Sequence, residues 1–418
     1  MDAVSQPELE RLQRAGGADL VVGILDTDHN SEAGATVAMV REAIAQLSKV
    51  ARAVVLCNKG TESSSATVPE TDSGGQSLAI FSYNLATSGP AGTSQPGMAD
   101  EYRSVFAVGG QLGVRACGVI ASHLQAVTPQ WIYRLLQPVL ELEFDVAAPR
   151  YTRQKMEGLL NRSVLSPLHR ALYGVQLQNP AGPDFGLSGK FLQGALGQDS
   201  GSPHGNLRDP VASIAPTAAC GRFRVCESHL GARSQPPTDW MNLSSLLAMI
   251  LGPAFLEMEL RAACWQGIRG SNAVPGFGFP ETASEETGTL DVRRMVESFQ
   301  LGAQNLQDVW GLILPPTTLL ELRKLSRLSP DQLRMPDDLW VRIVYDFALG
   351  HRLRTINRDH LLRSITPLYL GWIASYALEM ETAKPVQIEA RIERLAKAYE
   401  AGKAYLVSRW RWPDRFNS

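Results

Sequence analysis

Apolar residues in the first half of the chain come in short dense runs separated by stretches of helical period. Leu20-Val21-Val22-Gly23-Ile24-Leu25 has no polar break and is rich in β-branched side chains, which predicts a strand buried on both faces of a parallel sheet. Ala35 to Val50 then places Val37, Val40, Ile44 and Leu47 on one helical face, and Ala53-Val54-Val55-Leu56-Cys57 predicts a second strand. Strand, helix and strand make a right-handed βαβ unit. Lys59 to Gly97 reads as loop around a short apolar run at Leu78-Ala79-Ile80-Phe81, and Ala99 to Gly110 as a helix. The next strand, Ala116-Cys117-Gly118-Val119-Ile120, stops abruptly at Ala121-Ser122-His123, and Thr128-Pro129 offers an N-cap and a first helical residue. Phe144 to Pro149 is a further strand, delivering Arg150-Tyr151-Thr152-Arg153-Gln154-Lys155. Asn179 to Gly189 is rich in turn residues, and Phe223 to Glu227 reads as the last strand. Strand ends of this kind are where open α/β sheets place ligands.

From Asp239 the period changes. Leu246 to Arg261 is an amphipathic helix, Gly267 to Leu290 a connection rich in Gly, Pro and Ser, and Val292 to the end mostly helical. Trp310, Trp340 and Trp372 are the expected core anchors. The expected architecture is α/β, a mostly parallel sheet flanked by helices over residues 1–238, followed by a mostly helical C-terminal region over 239–418.

Composition excludes more than it selects. With 44% hydrophobic and 20% charged residues the chain is ordinary for a globular protein, and a net charge of −2 gives no strong pull toward nucleic acid or an anionic membrane. No uninterrupted apolar run reaches the roughly 18–20 residues of a membrane span, so no transmembrane segment is expected. Met1-Asp2-Ala3-Val4-Ser5-Gln6-Pro7-Glu8 is polar and acidic, so no signal peptide is read and a cytoplasmic location is expected. Cys57, Cys117, Cys220, Cys226 and Cys264 are scattered, odd in number and not spaced as a zinc site; they read as buried thiols of a reducing compartment. Ser63-Ser64-Ser65 and Gly74-Gly75 lack the ending of a phosphate loop, and no nucleophile elbow or HExxH is present.

Candidate chemistry therefore rests on polar residues near strand ends. His123 reads as a lone metal ligand or general acid, or as a structural residue; one His without carboxylates is a poor site for a divalent cation, which prefers oxygen ligands. Arg150, Arg153 and Lys155 read as a solvated charge run or as an anion clamp for phosphate or carboxylate. Asp184, between Gly182 and Gly186, is the one acidic residue of its turn; it fixes the loop through backbone N–H groups or supplies a catalytic carboxylate. Arg170 and Tyr173 share a helix face and read as packing with a local salt bridge. Arg409-Trp410-Arg411-Trp412 reads as a tail docked on the body, since the net charge disfavours stacking on nucleic acid.

Several segments in order resemble bacterial GT-A-fold glycosyltransferases of the glucosyl-3-phosphoglycerate synthase and mannosylglycerate synthase group. They are Pro149-Arg150-Tyr151-Thr152-Arg153 with Lys155 and Gly158; Ser166-Pro167-Leu168-His169-Arg170-Ala171-Leu172-Tyr173-Gly174; Asp184-Phe185-Gly186-Leu187-Ser188-Gly189; Asn357-Arg358-Asp359-His360-Leu361-Leu362; Thr366-Pro367-Leu368-Tyr369-Leu370-Gly371; and Tyr405 to Pro413. The resemblance spans nearly the whole chain. It implies a Rossmann-type nucleotide-sugar domain that moves a sugar from a nucleotide donor to an acceptor hydroxyl. It also implies Mg²⁺ or Mn²⁺ on an Asp-x-Asp motif, neutralising the diphosphate leaving group.

The donor side departs from that pattern. An acidic strand-two ending is Asn58-Lys59-Gly60-Thr61, the lysine of a Gly-Lys-Gly turn is Met98, the Asp-x-Asp is Ala121-Ser122-His123, and a late metal-binding His falls near Gln235. An Ile-Asp-Ile-Trp-Met run before the last strand aligns with Pro210-Val211-Ala212-Ser213-Ile214. By resemblance, Asn58, Arg103, Ser122, Arg150, Arg153 and Lys155 face the donor phosphates. Tyr151, Gly182 and Asp184 face the acceptor, Asp184 and His123 carry any catalysis, and no metal ligand is retained. The expected partners are a nucleotide sugar and a small-molecule acceptor, with a homodimer or a hetero-oligomer with a paralogue, and no nucleic acid. The function implied is a glycosyltransferase-like protein with the donor-metal site lost; the alternative is a non-catalytic binding or assembly partner of an active paralogue.

Overall fold

The computed structural model of the protein describes residues 6–14, 17–25, 33–47, 50–57, 79–84, 98–121, 127–197, 207, 209–232, 242–279 and 290–413. Among the described residues, ten strands occur in chain order: β1 (Leu20–Ile24), β2 (Arg52–Cys57), β3 (Ala79–Asn84), β4 (Ala116–Ile120), β5 (Val146–Thr152), β6 (Val175–Gln176), β7 (Phe185–Ser188), β8 (Val225–Ala232), β9 (Asn272–Ala273) and β10 (Gly276–Phe277). Contacts divide the chain into two compact units: one of Met1–Thr152, Asn179–Gln235 and Val274–Thr282, the other of Arg153–Gln178, Pro236–Ala273 and Ala283–Ser418.

The first unit holds an eight-stranded sheet of order β10-β8-β5-β7-β4-β1-β2-β3. Every pairing is parallel except those of β7, which runs antiparallel between β4 and β5. The expected α/β class, with a mostly parallel sheet, is what the structure shows. Alternation along β1 and β4 explains why two short apolar runs suffice. Leu20, Val22, Ile24, Ala116 and Ile120 join the core with Trp131, Ile132, Leu135 and Leu136 of the helix Pro129–Glu141. Val21, Cys117 and Val119 are equally buried and point the other way, where Val105 of the helix Met98–Leu112 lies against Gly23.

Five elements differ from the sequence reading. Ala79–Asn84, expected within a loop, is the edge strand of the sheet, in full parallel register with β2. Phe185–Ser188, expected as turn, is a strand; Gly186 permits it, because a Cβ there would fall on the carbonyl oxygen of Leu135. β5 runs on through Arg150, Tyr151 and Thr152, and β8 on to Ala232, because the two pair along their length with an irregularity between Arg150 and Tyr151. Pro210–Cys220 is a helix capped by Asp209, whose side chain accepts from the Ala212 amide at 3.1 Å.

The second unit is helical around Trp310, Trp340 and Trp372, all at most 1% exposed, as expected. A π-helical turn, Asn161–Leu165, presents the Ser163 carbonyl, which accepts from Trp340 Nε1 at 3.2 Å and the Tyr399 hydroxyl at 2.9 Å. Arg170 pairs with Glu393 (2.6 Å) and Glu400 (3.1 Å) on the long helix Pro385–Arg411, so its ion pairs are long-range where a local salt bridge was expected. Trp410 is buried against Trp265, whereas Trp412 of the same tail is 61% exposed. The helix Leu243–Leu260 is long and apolar enough to cross a membrane by length and composition, and is the one such helix among the described residues. Its Leu243, Leu247, Leu251, Phe255 and Met258 are buried at helical spacing within the protein. Cys57, Cys117 and Cys226 are buried thiols, as expected, whereas Cys220 and Cys264 are disulfide-bonded, which corrects the expectation for those two.

Candidate functional site

The order of the sheet locates a crevice before any side chain is considered. From β1 the chain proceeds to β2 on one side and later to β4 on the other, so strand order reverses between β1 and β4. Open α/β sheets bind ligands outside the carboxyl ends at such a point. Ala121 stands there, one residue beyond β4. The expected Asn58, Ser122, His123 and Gln235 lie outside the described residues.

Asp184 precedes β7 and, because that strand is antiparallel, sits at the carboxyl end of β4. It is fully buried, with Oδ1 accepting from the Ala121 amide at 2.8 Å and Oδ2 from the Tyr151 hydroxyl at 2.6 Å. The structure thus brings together Asp184 and Tyr151, two of the three expected acceptor residues, but turns them toward each other. Gly182, the third, donates its amide to the Asn179 carbonyl at 3.2 Å, and Asn179 Nδ2 donates to the Pro149 carbonyl at 3.1 Å. The Tyr102 hydroxyl donates to the Pro183 carbonyl, which ties the same segment to the helix Met98–Leu112.

The expected basic residues take separate partners. Arg103 ion-pairs with Asp100 one turn back on its own helix at 2.6 Å. Arg150 lies in the first unit, 3.6 Å from the buried carboxylate of Glu227. Arg153 and Lys155 lie in the second unit, where Arg153 folds its guanidinium over Gly158 and Lys155 donates to the Glu381 carbonyl at 3.1 Å.

Two residues absent from the sequence reading join Arg150. His229 of β8 has its imidazole held below the ordinary histidine range, by burial first and then by Arg150 and Arg134. Arg134, on the helix Pro129–Glu141, donates to the His229 carbonyl at 3.1 Å. Gly278, at φ +81°, lets the β10 segment close against both, since a Cβ there would stand 3.3 Å from His229 Cβ and 3.5 Å from Arg134 Cδ. The sequence reading ended the last strand at Glu227, two residues short of His229, and nothing in the period of the helix marks Arg134.

The described donor set does not fit a divalent cation. Ala121 brings no ligand, both oxygens of Asp184 are engaged, and no group of three or more His, Cys, Asp or Glu able to hold a metal occurs among the described residues.

No protein-family model matches the chain, and no curated protein matches it in sequence. Among solved structures it is similar to glucosyl-3-phosphoglycerate synthase from Mycobacterium tuberculosis, in complex with Mn²⁺, UDP-glucose and phosphoglyceric acid, at 16% identity and a TM-score of 0.36 over 61% of this chain and 84% of that one. It is also similar to mannosyl-3-phosphoglycerate synthase from Rubrobacter xylanophilus, at 12% identity and a TM-score of 0.36 over 62% of this chain and 80% of that one.

Proposed function

We propose that the chain is a glycosyltransferase-like protein, related to enzymes that move a sugar from a nucleotide donor to an acceptor hydroxyl, with the usual donor-metal site lost. The observation that carries this is the reversal of strand order between β1 and β4, with Ala121 where a metal-binding acid would stand. A nucleotide sugar would lie over that crevice; Asn58, Ser122 and His123, its candidates by sequence, lie outside the described residues. Arg150, on β5, and Arg103 are candidates for the phosphates. A divalent ion normally contributes several kcal/mol of transition-state stabilisation, and cations already paired with carboxylates recover only part of it.

That shortfall favours a second reading, a non-catalytic relative that keeps the scaffold as a binding or assembly partner of an active paralogue. The engagement of both Asp184 oxygens supports it, because that carboxylate is already committed to donors of the protein itself. Calorimetry with UDP- and GDP-sugars, with and without Mg²⁺ or Mn²⁺, separates the two. Metal-independent binding is expected for the first. Binding that requires metal overturns the loss of the metal site, and no binding with or without metal leaves the partner role.

A further inference from the structure

We propose that Asp184 is a positioning residue: its buried carboxylate fixes the ends of β4 and β5 relative to each other, and it does not meet the acceptor itself. The purpose assigned to it rests on the donor-and-acceptor reading above; the contacts that define it do not.

The sheet lacks a ladder where Asp184 acts. β7 pairs with β5 only at Val146 and Ala147, so from Ala148 to Thr152 no strand joins β5 to the β4 side among the described residues. On β4 the ladder with β1 ends at Ile120, which leaves the Ala121 amide beyond the last rung. Asp184 closes both ends with one side chain. Oδ1 takes the Ala121 amide and Oδ2 takes the Tyr151 hydroxyl, at 2.8 and 2.6 Å. Charged acceptors make the short, strong bonds seen here, and burial keeps water from competing for them. The Tyr151 ring lies 5.7 Å from Trp131, whose amide is capped by Thr128, so the start of the following helix is tied to the same point. Ser122 and His123 directly follow Ala121, and Arg150 directly precedes Tyr151. The carboxylate therefore holds the backbone one residue from Arg150, a described donor-side candidate.

The experiment is amide hydrogen exchange, peptide by peptide, on the full-length protein. Asp184→Ala removes both bonds and should speed exchange about tenfold in residues 116–121 and 146–152 while 52–57 keeps its wild-type rate. Asp184→Asn keeps an oxygen for the Ala121 amide and a donor for the Tyr151 oxygen, so it should stay within about threefold of wild type. Should Asp184→Ala fail to fold, Tyr151→Phe carries the test, with acceleration confined to 146–152. Equal acceleration in all peptides, or none in either strand end, overturns the proposal. UDP serves as the binding probe: affinity lost in Asp184→Ala and recovered in Asp184→Asn supports positioning, whereas loss in both assigns the carboxylate a direct role and overturns it. A wild-type protein that ignores UDP sinks the donor reading, and the exchange result still decides the positioning role.

Discussion

Two buried aspartates staple the same sheet at opposite ends. Asp145 stands just before β5, at the amino end of the parallel strands, and accepts from the Arg224 amide at 2.9 Å, the Ser188 hydroxyl at 3.0 Å and Lys190 at 3.3 Å. Asp184 stands at the carboxyl end and accepts from an amide and a phenol. The chemistry is the same: a carboxylate satisfies donors that the ladder cannot, where strands of opposite direction meet. Only position differs, and position decides meaning. Ligands of open α/β sheets gather at carboxyl ends, so the positioning role proposed above attaches to Asp184 and not to Asp145.

The largest effect should come from the strand that separates the two staples. Gly186→Ala places a methyl on the Leu135 carbonyl, and neither backbone can give way; a loss of at least about 3 kcal/mol is expected, read as failure to express or a sharply lowered denaturant midpoint. An unchanged midpoint would mean that β7 is not clamped under the helix, and the comparison of its two ends would lose its basis.

Removing either carboxylate comes next. Asp145→Ala and Asp184→Ala each strand buried donors and should cost about 2–4 kcal/mol in chemical denaturation. The comparison predicts similar losses in stability but divergent binding. UDP affinity, where the wild type has it, should survive Asp145→Ala and fall in Asp184→Ala. Equal losses of binding would erase the distinction between the two ends. The donors on either side rank below: Ser188→Ala removes both a bond to Asp145 and the cap of the helix Gly189–Leu196, about 2 kcal/mol, whereas Tyr151→Phe removes one hydroxyl, about 1 kcal/mol. The reverse order by thermal unfolding would show Asp184 to be the stronger structural staple.

The legibility of this arrangement in the sequence was uneven, for physical reasons. Runs such as Leu20 to Leu25 announce a strand because both faces are buried, and Thr128-Pro129 announces a helix because orphan amides need a cap. The three tryptophans announce a helical core. Phe185-Gly186-Leu187-Ser188 is silent: four residues with a glycine carry too short a period, and their strand exists only because β4 and β5 flank it. Asp184 stood out as a lone acid among glycines, and both readings of it were open; distance in the fold, to Ala121 and Tyr151, settles which donors it serves. His229 and Arg134 left no signal, since their meeting depends on the register of β8 against a helix nearly a hundred residues earlier in the chain.

The smallest effect is electrostatic and tests whether the carboxyl end is a coupled site. Arg150 is 36% exposed and pairs with buried Glu227, so Arg150→Gln should cost about 1 kcal/mol or less in stability. Its clearer consequence falls on His229. Burial lowers the imidazole most, and Arg150 and Arg134 lower it further, so the loss of Arg150 should move its midpoint upward in a proton NMR titration. The sign for stability follows. With its pKa depressed, the folded protein binds fewer protons at His229 than the unfolded chain does, so stability declines as pH falls through the ordinary value of 6.5. Arg150→Gln should soften that decline, while a substitution at the far end, Lys190→Gln beside Asp145, should leave it as it was. An imidazole midpoint indifferent to Arg150 would show that charge at the end of β5 does not reach β8, and the cations there would then act singly.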